Sequence, residues 1–241
     1  MIERLFRFRH PLVQLEKHRL TRVARGFIPE ELAPLYQRVV PDPETAIDQL
    51  EFLVVDFETS GLDPERDTIL SIGMVEIRQQ TLSLSSASHF YVAKAQQVKP
   101  DTAVINHITP ETLAAGVSLE QSIHDLLERM PGKILVAHGA AIERDFLRRA
   151  LAVDRSADLP VVWLDTLMLE RSLATNRGKE GKDYRLCQIR QEKGLPGYLA
   201  HNALADSVAT GELFLVLLKE IFAGLPPTRG PLYYRSLYGR A

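Results

Sequence analysis

Cysteine is almost absent from the sequence, which has 241 residues and one cysteine, Cys187. A lone cysteine excludes an intrachain disulfide and a zinc site built from several cysteines. It also fits a reducing compartment. Apolar residues make up 45% of the chain and charged residues 25%, which are ordinary values for a globular protein. We therefore expect one domain with an appendage, folded without covalent cross-links.

The sequence also lacks a strong net charge and a long apolar run. It has 29 Lys and Arg against 31 Asp and Glu, a net charge of −2, so a basic field over the whole chain is excluded, whereas a local basic patch is not. The apolar run at 213–218 stops at Lys219, far short of the roughly 18 residues that a membrane span requires. The arginines near the N-terminus are not followed by the apolar segment of a secretory signal. We therefore expect a soluble, cytoplasmic protein with no membrane partner.

The charge is concentrated at the two ends of the chain. Residues 1–25 hold seven basic and two acidic residues, and residues 223–241 hold three arginines and no acid. Because these ends carry +5 and +3, the middle of the chain must carry −10. This pattern favours either a metal site with phosphate-seeking flanks or a solvated surface with a loosely attached N-terminal helix.

The pattern of apolar residues predicts three parts. Residues 1–48 have a weak helical stripe followed by repeated prolines, and we interpret them as a basic N-terminal extension. Residues 49–222 form the main domain, and residues 223–241 form a C-terminal tail. Within the main domain the pattern predicts strands near 52–55, 69–77, 90–92, 134–137 and 161–164, and helices near 119–130, 142–151, 166–173, 186–189 and 203–222. This order predicts an α/β fold, a mixed sheet of about five strands flanked by helices.

Two acids follow the first predicted strand. Asp56 and Glu58 are two residues apart, so they point to the same face at the end of an apolar strand. Two like charges at close range repel each other, and burial increases the penalty. A divalent cation relieves both effects, and oxygen ligands suit Mg²⁺ or Mn²⁺. The alternative is a strand end at which one acid caps a turn and the other is solvated.

A second polar group, His201 and Asp206, lies at the start of the last long helix. Residues five apart on a helix point about 140° apart, so the two side chains converge only if His201 precedes the helix. Asp206 would then lie one turn into the helix and face the sheet. The alternative is an ordinary exposed helix acid with His201 as a cap residue.

A third polar group follows the predicted strand at 134–137. The strand ends at His138, and the next helix carries Glu143 and Asp145. These two acids point about 200° apart, so both cannot face one site. The alternative is that both lie on the solvated face, in weak ion pairs with neighbouring arginines.

In this order and spacing, the three groups resemble the motifs of the DEDDh 3′–5′ exonucleases. This family has the ribonuclease H-like fold and includes the DNA polymerase III epsilon and ribonuclease T group. The first family motif is an apolar strand ending in Asp-x-Glu-Thr, then a small residue and Gly-Leu, and residues 56–62 match it. His201 and Asp206 match the last motif. The resemblance covers about residues 50–218 and includes Asp165-Thr166 and the stretch 106–110.

The middle motif departs from the family pattern. The family has His-Asn, then an acid five residues after the histidine, then Phe-Leu. This sequence has Gly139 after His138, and Glu143 where the family usually has aspartate. Glutamate is one methylene longer and keeps the charge. Phe146 and Leu147 match the family's core positions only if Glu143 is the site acid, so the resemblance favours Glu143 over Asp145.

The resemblance implies a two-metal hydrolysis of phosphodiester bonds that releases 5′-mononucleotides from single-stranded DNA or RNA 3′ ends. It implies that Asp56 bridges two Mg²⁺ or Mn²⁺ ions, with Glu58 and Asp206 completing one site. Glu143 would hold the second ion through water, and His201 would be the general base. His138 is a rival base that the family pattern makes structural. Substrate contacts fall on Thr59 and Leu62.

Two other functions stay open at this point. In the first, the chain is a proofreading subunit whose basic extension or tyrosine-rich tail docks a DNA polymerase. In the second, it is a non-catalytic module that binds nucleic acid or a protein partner. Neither the choice between DNA and RNA nor the oligomeric state follows from the sequence.

Overall fold

A five-stranded mixed sheet forms the centre of the molecule. The computed structural model describes residues 9–26, 28–93, 108–153, 159–179, 181–224 and 227–239. Its strands are β1 (Glu51–Thr59), β2 (Ile69–Arg78), β3 (Thr81–Tyr91), β4 (Ile134–Ala137) and β5 (Trp163–Asp165). Their order in the sheet is β3-β2-β1-β4-β5, with β1 antiparallel to β2 and parallel to β4. The predicted fold class is therefore confirmed. Part of the predicted 106–110 motif, residues 106 and 107, lies outside the described residues.

Helices cover both faces of the sheet. In chain order those of the described residues are α1 (Pro11–Arg25), α2 (Ala33–Gln37), α3 (Pro110–Ala114), α4 (Leu119–Arg129), α5 (Ala141–Ala150), α6 (Thr166–Asn176), α7 (Leu186–Glu192), α8 (Ala203–Phe222) and α9 (Arg229–Tyr238). Short 3₁₀ turns occur at Glu30–Leu32 and Ile47–Gln49. Side-chain caps set several starts: Ser118 caps α4, Asp165 caps α6 and Asn202 caps α8.

Strand β3 is longer than the sequence pattern predicts. The pattern predicts only its end, near 90–92, whereas the strand begins at Thr81. It pairs with β2 through a tight turn at Gln79 and Gln80, whose φ angles are 49° and 56°. Tight hairpin turns of this kind usually contain Asn-Gly or Asp-Gly. Because this turn contains two glutamines instead, its sequence does not predict it.

Strand β1 separates two apolar layers. Phe52 and Val54 pack on one face together with Leu213 and Phe214 of α8. Residues 53, 55 and 57 point to the other face, towards α4 and α5. Because side chains alternate along a strand, Asp56 and Glu58 continue the row that faces α8. The acids therefore emerge where this layer ends.

The described parts of the two basic ends, helices α1 and α9, pack against the main domain. Leu12 of α1 is 1% exposed and shares an apolar cluster with Phe52 and with Leu232 of α9. Leu20 and Val23 of the predicted α1 stripe are exposed, so only part of the stripe is used. The division at 48/49 and 222/223 stays a prediction. Within the described residues, no helix combines the length and apolar character needed to cross a membrane.

Candidate active site

Three carboxylates meet where β1 and α8 come together. One oxygen each from Asp56, Glu58 and Asp206 lies within 4.8 Å of the others. Asp56 is half-buried and Glu58 is 8% exposed. The structure thus brings together the acids of the first and last predicted motifs, although 150 positions separate Asp56 from Asp206. Oxygen ligands in this number suit a hard divalent cation.

A glycine allows α8 to approach the sheet closely. Gly73 of β2 pairs with Asp56 in the sheet register. A Cβ atom at Gly73 would lie 2.1 Å from the backbone of Ala203, the first residue of α8. Ser207 strengthens this contact because its hydroxyl donates to the Gly73 carbonyl over 2.8 Å. The contact sets the depth of α8 and so places Asp206 beside Asp56, a role of Gly73 and Ser207 that sequence reasoning missed.

Both oxygens of Asp206 accept hydrogen bonds from the preceding loop. The Tyr198 hydroxyl donates to Oδ1 over 2.8 Å, and the Asn202 amide donates to Oδ2 over 3.0 Å. The Asn202 side chain in turn accepts from the Ala205 amide, so residue 202 and Asp206 form a reciprocal cap at the start of α8. Tyr198 lies eight positions before Asp206, and no spacing rule in the sequence identifies it.

Glu143 reaches the same site from α5. Strand β4 pairs with β1 only as far as Val54. The Phe57 amide donates to the Glu143 carboxylate, which is 3% exposed. Its Oε2 atom is buried without a hydrogen-bond partner. Asp145 points elsewhere: its side chain is 43% exposed and lies 3.5 Å from Arg144.

Burial raises the pKa of all four acids, and the charges of neighbouring acids add to this at Asp56, Glu58 and Glu143. Burial raises the pKa of Asp56 well above its ordinary value, and the charges of the other three acids act in the same direction. Burial, followed by the charge of Asp206, raises the pKa of Glu58 to about 7. Burial raises the pKa of Glu143 to about 8. Among the described residues no lysine or arginine forms a salt bridge with any of these acids.

This environment fits a divalent metal ion. Buried carboxylates are normally paired with a cation or a hydrogen-bond donor. Here three carboxylate oxygens converge and a buried oxygen of a fourth acid has no partner. The donor set consists of hard oxygen atoms, which favours Mg²⁺ or Mn²⁺ over softer metals.

His201 lies immediately before α8, as the spacing predicts. It is exposed and has a φ of 62°, in the left-handed region. It is close enough to Asp206 for its charge to act on that carboxylate. The alternative interpretation of His201 as the helix cap is wrong, because Asn202 makes the side-chain cap.

His138 is held by hydrogen bonds on both ring nitrogens. Nδ1 lies 2.9 Å from the Thr166 hydroxyl, and Nε2 lies 2.8 Å from the Tyr184 carbonyl oxygen. The nearby Asp165 carboxylate accepts from the amides of Gly139 and Ala140 at 2.9 and 3.1 Å. These bonds fix the start of α5, which carries Glu143. His138 and Asp165 therefore stabilise the backbone that positions Glu143.

The two predicted substrate contacts lie at the hairpin after β1. The Thr59 hydroxyl donates to the Gly61 carbonyl over 2.7 Å. Leu62 is 77% exposed near the tip of this loop. Their contacts with a substrate stay predictions, as do the catalytic roles of the five polar residues.

Two curated relatives are similar to most of this chain. DNA polymerase III PolC-type from Thermotoga petrophila is 29% identical over 190 residues, which cover 79% of this chain and 13% of that protein. DNA polymerase III subunit epsilon from Treponema pallidum is 28% identical over 171 residues, 71% of this chain and 78% of that protein. The chain thus spans only a small part of the PolC-type protein.

A solved structure supports the fold. The zinc-bound complex of Escherichia coli ExoI with single-stranded DNA superposes with a TM-score of 0.63 at 19% identity, over 73% of this chain and 42% of that one.

The family model described as Exonuclease, RNase T, matches residues 53–214, which include all four acids and His201. The chain therefore belongs to the RNase T family of exonucleases, as the resemblance of its motifs predicts.

Proposed function

We propose that the protein is a metal-dependent 3′–5′ exonuclease. It hydrolyses phosphodiester bonds at single-stranded 3′ ends and releases 5′-mononucleotides. The observation that carries this proposal is the convergence of three carboxylates within 4.8 Å, without a balancing lysine or arginine in the described residues. Membership of the exonuclease family supports it, as does the complex of the E. coli relative with single-stranded DNA.

The acids have distinct tasks in this mechanism. Asp56, Glu58 and Asp206 would hold the divalent ions, and Glu143 would contribute to the same centre. When bound, such ions neutralise charge on the reacting phosphate and lower the pKa of water. Asp56 is only half-buried, so a substrate phosphate would reach this centre from the solvent side.

His201 would act as the general base. Its side chain is exposed and near enough to Asp206 for the two charges to interact, and an imidazole nitrogen there would take a proton from the attacking water. The water oxygen then bonds to phosphorus and the bond to the 3′-oxygen breaks, so the released nucleotide keeps its 5′-phosphate. Thr59 and Leu62 would contact the terminal nucleotide, Leu62 as an apolar surface against a base.

Digestion of matched DNA and RNA oligonucleotides tests this proposal. Labelled single strands are incubated with Mg²⁺ or Mn²⁺, and the products are sized by gel. We expect stepwise shortening from the 3′ end with mononucleotide products, and complete loss of activity with a chelator. Activity that resists chelation would exclude the metal-dependent mechanism. A fully inactive protein that still binds single strands would favour the non-catalytic module. The ratio of DNA to RNA cleavage identifies the substrate.

A proofreading subunit is the second candidate. The names of two relatives, a PolC-type polymerase and an epsilon subunit, favour this function. Helix α9 could supply the docking surface because Tyr234, Leu237 and Tyr238 are 38–50% exposed on it. Co-purification with a polymerase III catalytic subunit is the test. Loss of co-purification in a Tyr234→Ala, Tyr238→Ala variant of unchanged nuclease activity would place the contact on α9.

A further inference from the structure

The loop before α8 contains a tyrosine that is bonded directly to the acid cluster. The Tyr198 hydroxyl donates to Asp206 Oδ1 over 2.8 Å. The tyrosine hydroxyl is the donor in this bond because an ionised carboxylate can only accept. A carboxylate has about four lone-pair positions, and Asp206 accepts from the Tyr198 hydroxyl and from the amides of His201 and Asn202, so about one position stays free. The bond therefore orients the acid without blocking it.

A buried arginine holds the ring of Tyr198. The guanidinium carbon of Arg190 lies 5.1 Å from the ring centroid. Arg190 is 2% exposed, and its Nη1 donates to the Ala209 carbonyl over 2.7 Å, whereas Nη2 donates to the Pro196 carbonyl over 3.0 Å. Nη2 also lies 2.7 Å from Glu212 Oε2. Arg190 thus ties α7, on which it lies, to α8 and to the loop between them.

These contacts form one continuous path. Glu212 and Ala209 of α8 hold Arg190, which supports the Tyr198 ring, and the tyrosine hydroxyl holds Asp206 on the same helix. The loop that the path fixes also contains His201. A shift of the loop would therefore displace the base and the acid together. None of the motifs that identify the family includes Arg190 or Tyr198.

We propose that Tyr198, supported by Arg190, is a positioning residue for Asp206 and for the loop that carries His201. This inference rests on the proposed metal-dependent function. A hydrogen-bond donor to a metal-binding carboxylate fixes its orientation, and removal of such a donor typically weakens metal affinity or activity about 10- to 100-fold. The contribution of Tyr198 is through its hydroxyl, so its ring alone does not replace it.

Tyr198→Phe is the decisive variant. It removes one oxygen and keeps both the ring and its contact with Arg190, so the fold should be preserved. Tyr238→Phe is the matched control, because it makes the same chemical change at a half-exposed tyrosine on α9. Arg190→Lys is a second variant: lysine keeps the charge next to Glu212 but lacks the planar group that stacks on the ring.

The first measurement is Mn²⁺ binding to the metal-free full-length chain by titration calorimetry. We expect Tyr198→Phe to bind Mn²⁺ about 10- to 100-fold more weakly than the wild type, with an unchanged melting temperature. Tyr238→Phe should bind like the wild type. Arg190→Lys should shift the affinity in the same direction by a smaller factor. Wild-type affinity in Tyr198→Phe would overturn the inference.

The second measurement is single-strand digestion over a range of Mn²⁺ concentrations. We expect the kcat of Tyr198→Phe to fall at low Mn²⁺ and to recover as Mn²⁺ is raised, with the oligonucleotide KM unchanged. A raised KM with unchanged kcat would make Tyr198 a substrate contact and overturn the positioning role. A wild type that neither binds Mn²⁺ nor digests the strand would overturn the proposed function itself, and the inference with it. If the wild type binds Mn²⁺ and digests the strand but Tyr198→Phe behaves like the wild type, only the inference about Tyr198 is overturned.

Discussion

Two groups of buried acids in this protein differ in the charges around them. Glu170 of α6 is 3% exposed, and the ammonium groups of Lys182 and Lys193 lie 2.5 and 2.8 Å from its carboxylate. These lysines also pair with Glu192 and Glu220. In contrast, Asp56 and its neighbouring acids have no lysine or arginine partner in the described part of the chain.

The difference distinguishes a structural network from a metal site. Burial of a charge is costly unless a partner compensates for it. Around Glu170 the chain supplies both signs, so the charges stabilise the fold without any ligand. Around Asp56 the chain supplies only negative charge, so the compensation must come from protons or from a bound cation. Five predictions test this contrast.

Removal of a central acid should cause the largest loss of activity. We expect Asp56→Ala and Asp206→Ala each to reduce kcat at least about a hundredfold, because electrostatic stabilisation at the reacting phosphate is lost. Both should still fold, since the change relieves repulsion between acids. Asp145→Ala is the matched control, because it makes the same change at an exposed acid, and it should keep a rate near that of the wild type. A rate near wild type in either alanine variant would remove that residue from the site.

His201→Ala should lower the rate by a factor of roughly 10²–10⁴, the usual contribution of a positioned general base. Because the ring is exposed, we expect a factor near the lower end of this range. Metal affinity should be retained, since the imidazole is not assigned to an ion. The pH–rate profile of the wild type should have an ascending limb that the variant lacks. If the variant keeps this limb, another group is the base.

The middle motif offers a comparison within one helix. Glu143→Ala should strongly reduce turnover because a buried acid at the site is lost, and Glu143→Asp should keep partial activity or exceed the wild type. Asp145→Ala should change stability by less than about 0.5 kcal/mol, as expected for an exposed position. Steady-state kinetics and thermal melts measure both. The reverse pattern would move the catalytic role to Asp145.

Neutral isosteres should shift stability in opposite directions at the two groups. Asp56→Asn should raise the melting temperature of the metal-free protein, because it removes one of several repelling charges. Glu170→Gln should lower the free energy of unfolding by about 3 kcal/mol, since it removes the buried charge that Lys193 and the half-buried Lys182 share. Denaturant melts in the presence of a chelator measure both values. Shifts of the same sign would mean that the acid cluster is compensated too.

The smallest expected effect is the pH dependence of the metal-free fold. Glu58 and Glu143 have folded-state pKa values of about 7 and 8, against an ordinary value of 4.5. Between these values the folded state binds more protons than the unfolded state, so stability falls as pH rises. The melting temperature with a chelator should therefore decrease from pH 5.5 to pH 8.5, by a few degrees for a domain of this size. Added Mn²⁺ should reduce this decrease. A flat profile would contradict the raised pKa values.

Much of the fold and part of the site could be predicted from local sequence. Asp56 and Glu58 share a face because strand side chains alternate, and this follows from their spacing alone. The helix at 203–222 was predicted with its observed bounds because its apolar pattern and its start signal agree. The order of the motifs was sufficient to predict the exonuclease family.

The tertiary structure decided the rest, because charge compensation and close contact depend on residues far apart in the chain. The sequence does not distinguish Glu170, which two lysines neutralise, from Glu58, which has no such partner among the residues that the structure describes. Helix α8 can approach the sheet closely only because residue 73 is glycine and has no side chain. The hydrogen bond from Tyr198 to Asp206 depends on how a loop folds back over α8. Local patterns determine which face a side chain occupies, and only packing determines what it meets there.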